Sequence, residues 1–183
     1  MKYLSLSLAI VTLILGIGIG YTLTPQYTLA SETMTNTFGR ADRFVDLRYI
    51  NKMIAHHRET LLMAEQVKDM TQREEIRNLA HSIINTEPKA IDELYEWKRA
   101  WYRDSSKVED PMVTKFGSYD ETFDLRYLNA MISHHLDGID MAKDIITKSS
   151  RTEILRNADP IRTSLVSTIA ALRDWRSQWY GIN

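Results

Sequence analysis

Two residue types that can bind a transition metal, histidine and methionine, recur in this chain at one fixed spacing. The pattern Met-x2-His-His-x5-Met occurs twice, so that four of the five histidines fall in two copies of it. Imidazole nitrogen binds copper and zinc, and thioether sulfur is a soft ligand that favours copper(I) and silver(I). The spacing therefore predicts a metal site, whose candidate ligands are Met53, His56, His57 and Met63 and, in the second copy, Met131, His134, His135 and Met141.

The candidate ligands of each copy share one face of a predicted helix. At about 100° per residue, the histidines and methionines of one copy fall in the same half of the helix as its apolar neighbours. Such a face packs inward, so the metal-binding groups are expected in the protein core. If the two copies pack about a pseudo-twofold axis, their ligand faces look toward each other.

The remaining residue types narrow the choice of metal. A di-iron carboxylate site needs inward glutamates and Glu-x-x-His pairs, whereas both copies have Met-x-x-His. Calcium and magnesium need clustered oxygen ligands. The chain has no cysteine, which excludes disulfides and thiolate sites. The predicted cofactor is therefore copper, as copper(I), with no bound metal as the alternative.

Two other hypotheses fit the same residues. Methionines on an apolar face often only pack the core, and the histidines could belong to a buried polar network in a structural or interaction bundle without metal. A copper-dependent redox enzyme ranks last, because the chain shows no nucleophile, oxyanion site or pair of general bases. In the metal-free network, the partners of the imidazoles would be Asp46, Arg48 and Asn51 and their copies Asp124, Arg126 and Asn129.

Residues outside the motif have weaker signals. Glu87 falls on the core side of the second predicted helix, where it could accept a proton from a metal-binding histidine. The matching position of the second copy holds Leu165, so this role would not be shared. His81 falls off the core face and is predicted to be solvated. Three methionines in a tether and two loops could help to capture copper: Met34, Met70 and Met112.

The elements that position these residues are themselves duplicated. Residues 46–64 match residues 124–142 without a gap, and apolar residues of the following segments match at the same offset. Apolar residues at steps of three and four predict helices, and short connections predict two antiparallel hairpins that pack as an all-α four-helix bundle. The predicted helices are 44–69, 73–102, 122–147 and 152–180, with Trp97, Trp101, Trp175 and Trp179 as core anchors at the bundle end.

Two prolines fall in the second helices of the hairpins, at different positions. Asp159 and Pro160 have the pattern of an N-cap and a first-turn proline, which would break the fourth helix there. Pro88 lies in the middle of the second helix, where it would either kink that helix or start a new one.

The first thirty residues are predicted to direct export. Lys2 precedes an uncharged run over residues 3–23, and roughly 20 apolar residues suffice to cross a bilayer. Residues 1–30 are either a cleaved signal peptide or an N-terminal membrane anchor, and both make the remainder extracytoplasmic, periplasmic or at the cell surface. After them we expect a tether over 31–43, hairpin repeats over 44–102 and 122–183, and an inter-repeat loop over 103–121.

The charge pattern limits the partners. The net charge is −1, and no basic field is present, so nucleic acid is not an expected partner. The expected partners are a metal ion and, if the N-terminal helix is uncleaved, the membrane. Gly16 and Gly20 have the GxxxG spacing that pairs membrane helices, which would allow a homo-oligomer.

The repeated motif resembles a known bacterial family. The pattern Asp-x2-[Phe/Tyr]-x3-Met-Ile-x-His-His-x5-Met-Ala is similar to that of the family named domain of unknown function 305, over roughly residues 40–181. The resemblance implies a ferritin-like fold and export or membrane anchoring. Because some cyanobacterial relatives are periplasmic copper-binding proteins of copper resistance, it also implies metal binding by the matched histidines and methionines. The chain departs from the family pattern Gln-x-x-Glu-Ile at residues 87–91 and 165–169.

Overall fold

The computed structural model describes residues 36–182, which form four α-helices. Helix α1 spans Val45–Val67, α2 spans Glu74–Tyr102, α3 spans Phe123–Ile146 and α4 spans Thr152–Tyr180. The predicted signal or anchor segment and Met34 lie outside the described residues. Among the helices of residues 36–182, none is long and apolar enough to cross a membrane.

The helices pack as two hairpins that meet through the motif helices. Helix α1 packs along α2, and α3 packs along α4, while α1 and α3 form the main contact between the hairpins. Apolar residues at steps of three and four line the inner faces, as Ile76, Ala80 and Ile83 do in α2. Each fully buried aliphatic side chain contributes about 1.5–3 kcal/mol. The predicted all-α four-helix bundle is confirmed.

The apolar core is divided into two clusters, and all four helices contribute to each. The Tyr49 cluster contains Tyr49, Ile50 and Ile54 of α1 together with residues near the C-terminal end of α3, among them Ile145. In the Tyr127 cluster, the start of α3 packs with the end of α1. Helices α1 and α3 are therefore antiparallel, and the middle of each helix lies between the two clusters.

Both second helices run through their prolines. Helix α2 continues through Pro88 and α4 through Pro160, so the predicted break at Asp159 and Pro160 is wrong. A proline inside a helix removes one backbone hydrogen bond, and its ring crowds the carbonyl of the preceding turn, which together cost about 3 kcal/mol. On α4, Ala158 before the proline and Ile169 after it are both buried in the core. Core packing on both sides of the proline therefore holds the two halves of the helix in line.

A short loop before each motif helix has the same structure in both repeats. We call residues 36–44 and 114–122 the two clasps. Gly39 and Gly117 have φ angles of 68° and 71°, a backbone conformation in which glycine is favoured. The Arg48 Nε donates to the Phe38 carbonyl at 2.7 Å, and the Arg126 Nε donates to the Phe116 carbonyl at 2.8 Å. The repeat thus begins before the motif, in residues expected to be tether and loop.

Each clasp docks on the motif helix of the other repeat. The Phe38 amide donates to Asp144 Oδ2 on α3 at 2.8 Å, and the Phe116 amide donates to Gln66 Oε1 on α1 at 3.4 Å. These swapped contacts fix the relative position of α1 and α3, and so of their histidines.

The four tryptophans predicted as core anchors are only partly buried, against the outer sides of the two clusters. They form stacked pairs with ring centroids 5.1 Å apart for Trp97 and Trp101 and 5.7 Å apart for Trp175 and Trp179. An arginine from the other repeat covers one ring of each pair, Arg151 over Trp101 and Arg73 over Trp179. These cation–π contacts join the hairpins at the bundle ends.

Candidate metal centre

The four motif histidines form a buried layer in the middle of the bundle. His56 and His57 of α1 and His134 and His135 of α3 have between 5% and 9% of their surface exposed. We call these four residues the histidine layer. It lies between the Tyr49 and Tyr127 clusters because the helices place their central residues there. The sequence prediction that the histidines face the core is confirmed.

The four motif methionines are also buried, in the clusters on either side of the histidine layer. Met53 and Met141 belong to the Tyr49 cluster, and Met63 and Met131 to the Tyr127 cluster. Each cluster thus receives one methionine from each repeat. Two methionines therefore lie in the apolar cluster on each side of the imidazoles.

His56 and His134 stack face to face across the repeat boundary. Their ring centroids are 3.8 Å apart, and the ring planes differ by 9°. The centroids of the neighbouring rings lie farther away, at 6.2 Å for His56 and His57 and at 6.1 Å for His134 and His135. Burial, and to a smaller extent the neighbouring His134, hold the pKa of His56 well below its usual value. The ring is therefore neutral, and its unprotonated nitrogen is able to bind a metal.

His134 has polar partners from the first repeat. Its Nε2 lies 2.8 Å from the Thr60 hydroxyl, and its Nδ1 lies 3.4 Å from Glu59 Oε2. The Thr60 hydroxyl also lies 3.1 Å from the His56 carbonyl. Because a hydroxyl carries one proton, it donates to one of these two groups at a time. The spacing of the motif does not indicate that Glu59 and Thr60 contact His134.

His57 pairs with Glu87 of α2 through its Nδ1 and the carboxylate Oε2. The contact that the sequence suggested for Glu87 is therefore present. The other nitrogen of the ring, Nε2, is buried without a hydrogen-bond partner in the described part of the chain. An imidazole whose Nδ1–H donates to a carboxylate carries a lone pair on Nε2, so His57 presents a free ligand atom inside the layer.

His135 stands at the position equivalent to His57 but has different surroundings. Its Nδ1 is buried, with no hydrogen bond of good geometry to any residue in the range 36–182. Burial and the His134 charge lower its pKa to about 3, against a weaker opposing effect of the Met131 backbone. His135 is therefore a neutral imidazole with a second orphaned ring nitrogen.

Gly138 of α3 makes room for His56. A Cβ atom at this position would lie 2.7 Å from His56 Nε2 and 2.7 Å from Leu165 Cδ1. The equivalent position in the first repeat is Thr60, whose side chain reaches His134. The sequence shows that Thr60 in the first repeat corresponds to Gly138 in the second, but it does not show that both residues face a histidine.

Four of the six polar residues proposed to bind the imidazoles in a metal-free network have other partners. Asn51 Oδ1 and Asp124 Oδ1 are buried without a hydrogen bond in the described part of the chain. Arg48 and Arg126 hold the clasps, and Asp46 pairs with Arg151 at 3.3 Å. Asn129 accepts a hydrogen bond from Arg176 at 3.0 Å. These residues precede the histidines by one to three helical turns, which directs them toward the bundle ends. The histidine layer is polar through Glu59, Thr60 and Glu87 instead.

Three further sequence-predicted residues lie away from the layer. His81 is exposed, as expected. Met70 is 39% exposed and Met112 is 98% exposed. The structure brings neither methionine into the core with the motif residues.

The buried groups suit a soft metal ion, but the rings do not already surround one. In the described residues no three side chains of the types His, Asp and Glu are grouped closely enough to hold a metal. The stacked rings of His56 and His134 do not converge on one point. Binding would therefore use the orphaned nitrogens of His57 and His135, ring rotation, and sulfur from the flanking methionines.

The fold and the site define the class: a duplicated four-helix bundle that buries a histidine layer between its two halves. The chain belongs to the family described as domain of unknown function (DUF305), whose model matches residues 46–123 and 124–183. The family resemblance of the motif is thereby confirmed. No functionally curated protein matches the chain.

Solved structures of CopM are similar to this chain. The Cu(I)-bound form has 27% identity and a TM-score of 0.68, covering 74% of this chain and 98% of that one. The Ag-bound form obtained by co-crystallization has 28% identity, a TM-score of 0.67 and the same two coverages. A DUF305 protein from Streptomyces coelicolor, described as secreted, has 24% identity and a TM-score of 0.66 over 75% of this chain and 93% of its own. The last likeness concerns the fold alone.

Proposed function

We propose that this protein binds copper(I) or silver(I) in the histidine layer and serves in metal sequestration or handover. The observation that carries the proposal is the pair of orphaned, buried imidazole nitrogens, His57 Nε2 and His135 Nδ1. Burying an unpartnered polar atom is unfavourable, and a bond to a metal ion would satisfy such a nitrogen. Thioether sulfurs on either side suit a soft ion.

The similarity to CopM supports the same ion class, since that protein is known in Cu(I)-bound, Cu(II)-bound and Ag-bound forms.

Extracytoplasmic location is part of the proposal, because Lys2 and the uncharged run after it have the pattern of an export signal. Protease added to spheroplasts should digest the protein, and full protection would refute export. We propose no catalytic role, and a redox assay on copper-loaded protein that gave turnover would overturn that view.

A competition titration with a copper(I) chelator tests the binding. Replacing both His57 and His135 by alanine should weaken copper(I) binding at least tenfold, about 1.4 kcal/mol, because it removes both orphaned nitrogens. Helicity should persist, because the two apolar clusters remain. His81→Ala, at an exposed histidine of α2, is the matched control and should bind like the parent.

The second candidate function is a structural or interaction bundle without metal. The stacking of His56 on His134 favours this alternative, since the two rings cover each other's faces and pack in the core without an ion. Absence of copper(I) uptake by the parent protein, or equal uptake by the double alanine variant, would leave this alternative in place of metal binding.

A further inference from the structure

The two outer histidines of the layer are held differently, although they occupy equivalent positions. His57 Nδ1 contacts the Glu87 carboxylate, and the side chains of this pair are only 11% and 18% exposed. The position equivalent to Glu87 in α4 is Leu165, whose hydrocarbon side chain accepts no hydrogen bond. In the described residues, His135 Nδ1 finds no side chain to replace that carboxylate.

A carboxylate that accepts from one ring nitrogen determines what the other nitrogen can do. The proton stays on Nδ1, the ring is held in one orientation, and the Nε2 lone pair points away from the carboxylate. Histidines that bind metals commonly have such a partner, and removing it typically weakens metal binding about 10- to 100-fold. His57 Nε2 is buried and has no other partner among residues 36–182.

Building on the proposed function, we propose that Glu87 is a positioning residue that makes His57 the first imidazole to take up metal. His135 lacks a carboxylate partner and binds at higher metal concentration. The two repeats thus offer two inequivalent imidazoles instead of two equal ones. The chain uses its first repeat to bind the first ion, and its second repeat binds metal afterwards.

A purely structural role for Glu87 would satisfy the His57 ring without affecting the order of metal binding. Two variants separate these roles. Glu87→Gln keeps an oxygen that accepts from Nδ1–H and so keeps the ring orientation. Glu87→Leu copies the side chain of Leu165 and removes the acceptor. Glu96→Leu, which removes an exposed carboxylate from the same helix, is the control.

The test is a silver(I) titration at about pH 7.5, where unperturbed histidine is neutral, followed by ¹H–¹⁵N spectra of the imidazoles. We expect metal-free His57 to carry its proton on Nδ1, and its signals to change at lower silver(I) than those of His135. Glu87→Leu should weaken the first binding step about 10- to 100-fold. Glu87→Gln should stay within about threefold of the parent, and Glu96→Leu should match it.

The outcomes distinguish this proposal from the proposed function. If the parent takes up no silver(I), the metal-binding function fails and the proposal for Glu87 fails with it. If it takes up silver(I) but His57 and His135 change together, or Glu87→Leu binds like the parent, only the role of Glu87 is overturned. Should Glu87→Leu lose its helicity, the metal-free parent still decides, because a proton on Nε2 of His57 would contradict the proposal.

Discussion

The two repeats are alike at the ends of the bundle and different in its middle. Both clasps make the same arginine contacts, and both bundle ends have an arginine over a stacked tryptophan. In the histidine layer, Thr60 is replaced by Gly138 and Glu87 by Leu165. The shared contacts build a pseudo-twofold scaffold, and the differences give it an asymmetric centre.

The same contrast occurs at the two buried tyrosines beside the layer. Tyr49 donates a hydrogen bond to Asn157 Oδ1 at 2.6 Å. The Tyr127 hydroxyl is buried and has no hydrogen-bond partner in the described part of the chain, because the residue equivalent to Asn157 is Leu79. Burial raises the pKa of both tyrosines. The repeats therefore share their shape more closely than their polar pairing.

The largest effect that we expect is on stability as a function of pH. Burial holds the pKa of His135 at about 3 and that of His56 well below its usual value, whereas in the unfolded chain both rings have a pKa of about 6.5. The unfolded state therefore binds more protons in this range, and stability is lost as the pH falls below about 6.5. Each ring contributes a slope of about 1.4 kcal/mol per pH unit.

Denaturant unfolding of the metal-free protein between about pH 7.5 and pH 5, above the range in which most carboxylates titrate, measures this slope. His135→Gln should reduce the slope by about half, since one of the two rings is removed. A parent protein whose unfolding free energy is flat over this range would show that the rings are not buried in neutral form.

An intermediate effect is expected where the first repeat has Thr60 and the second has Gly138. Gly138→Val would push a side chain into His56 Nε2 and Leu165 Cδ1 and destabilise the fold by about 1–3 kcal/mol through overpacking. Combining it with His56→Ala should restore part of that loss, because the ring that it displaces is gone. Additive effects in this double-mutant cycle would mean that Gly138 does not make room for His56.

The smallest effect separates the two tyrosines. Tyr49→Phe removes the hydrogen bond to Asn157 and should lower the unfolding free energy by about 0.5–1.5 kcal/mol. Tyr127→Phe removes a buried hydroxyl without a partner in the described residues and should be neutral or stabilising. Equal losses in the two variants, measured by denaturant unfolding, would remove the distinction between them.

The fold was largely predictable because its signals are local and repeated. Apolar steps of three and four predicted all four helices within two residues at each end. The motif does not predict the clasps, since Arg48 holds Phe38 through a backbone carbonyl, which no side-chain pattern indicates. The predicted break at Pro160 is wrong, because core packing on both sides of the proline outweighs its lost hydrogen bond and the crowding of its ring.

The inward position of the motif histidines was predictable, but their arrangement and their partners were not. The motif identified all four histidines as inward residues, and the structure buries them. The stacking of His56 on His134 depends on the crossing of α1 and α3, which residue spacing does not determine. Thr60 and Glu59 contact His134 of the other repeat. Residue spacing within one helix does not predict a contact between positions that are far apart in the sequence.

X-ray absorption at the copper edge of the copper(I)-loaded protein tests the central claim most directly. We predict that imidazole nitrogen and thioether sulfur both bind the ion, because the histidine layer lies between buried methionines. The His57→Ala, His135→Ala double variant should lose the imidazole contribution. A coordination shell that lacks imidazole or lacks sulfur would contradict a metal site in the histidine layer. So would a shell that is unchanged in the double variant.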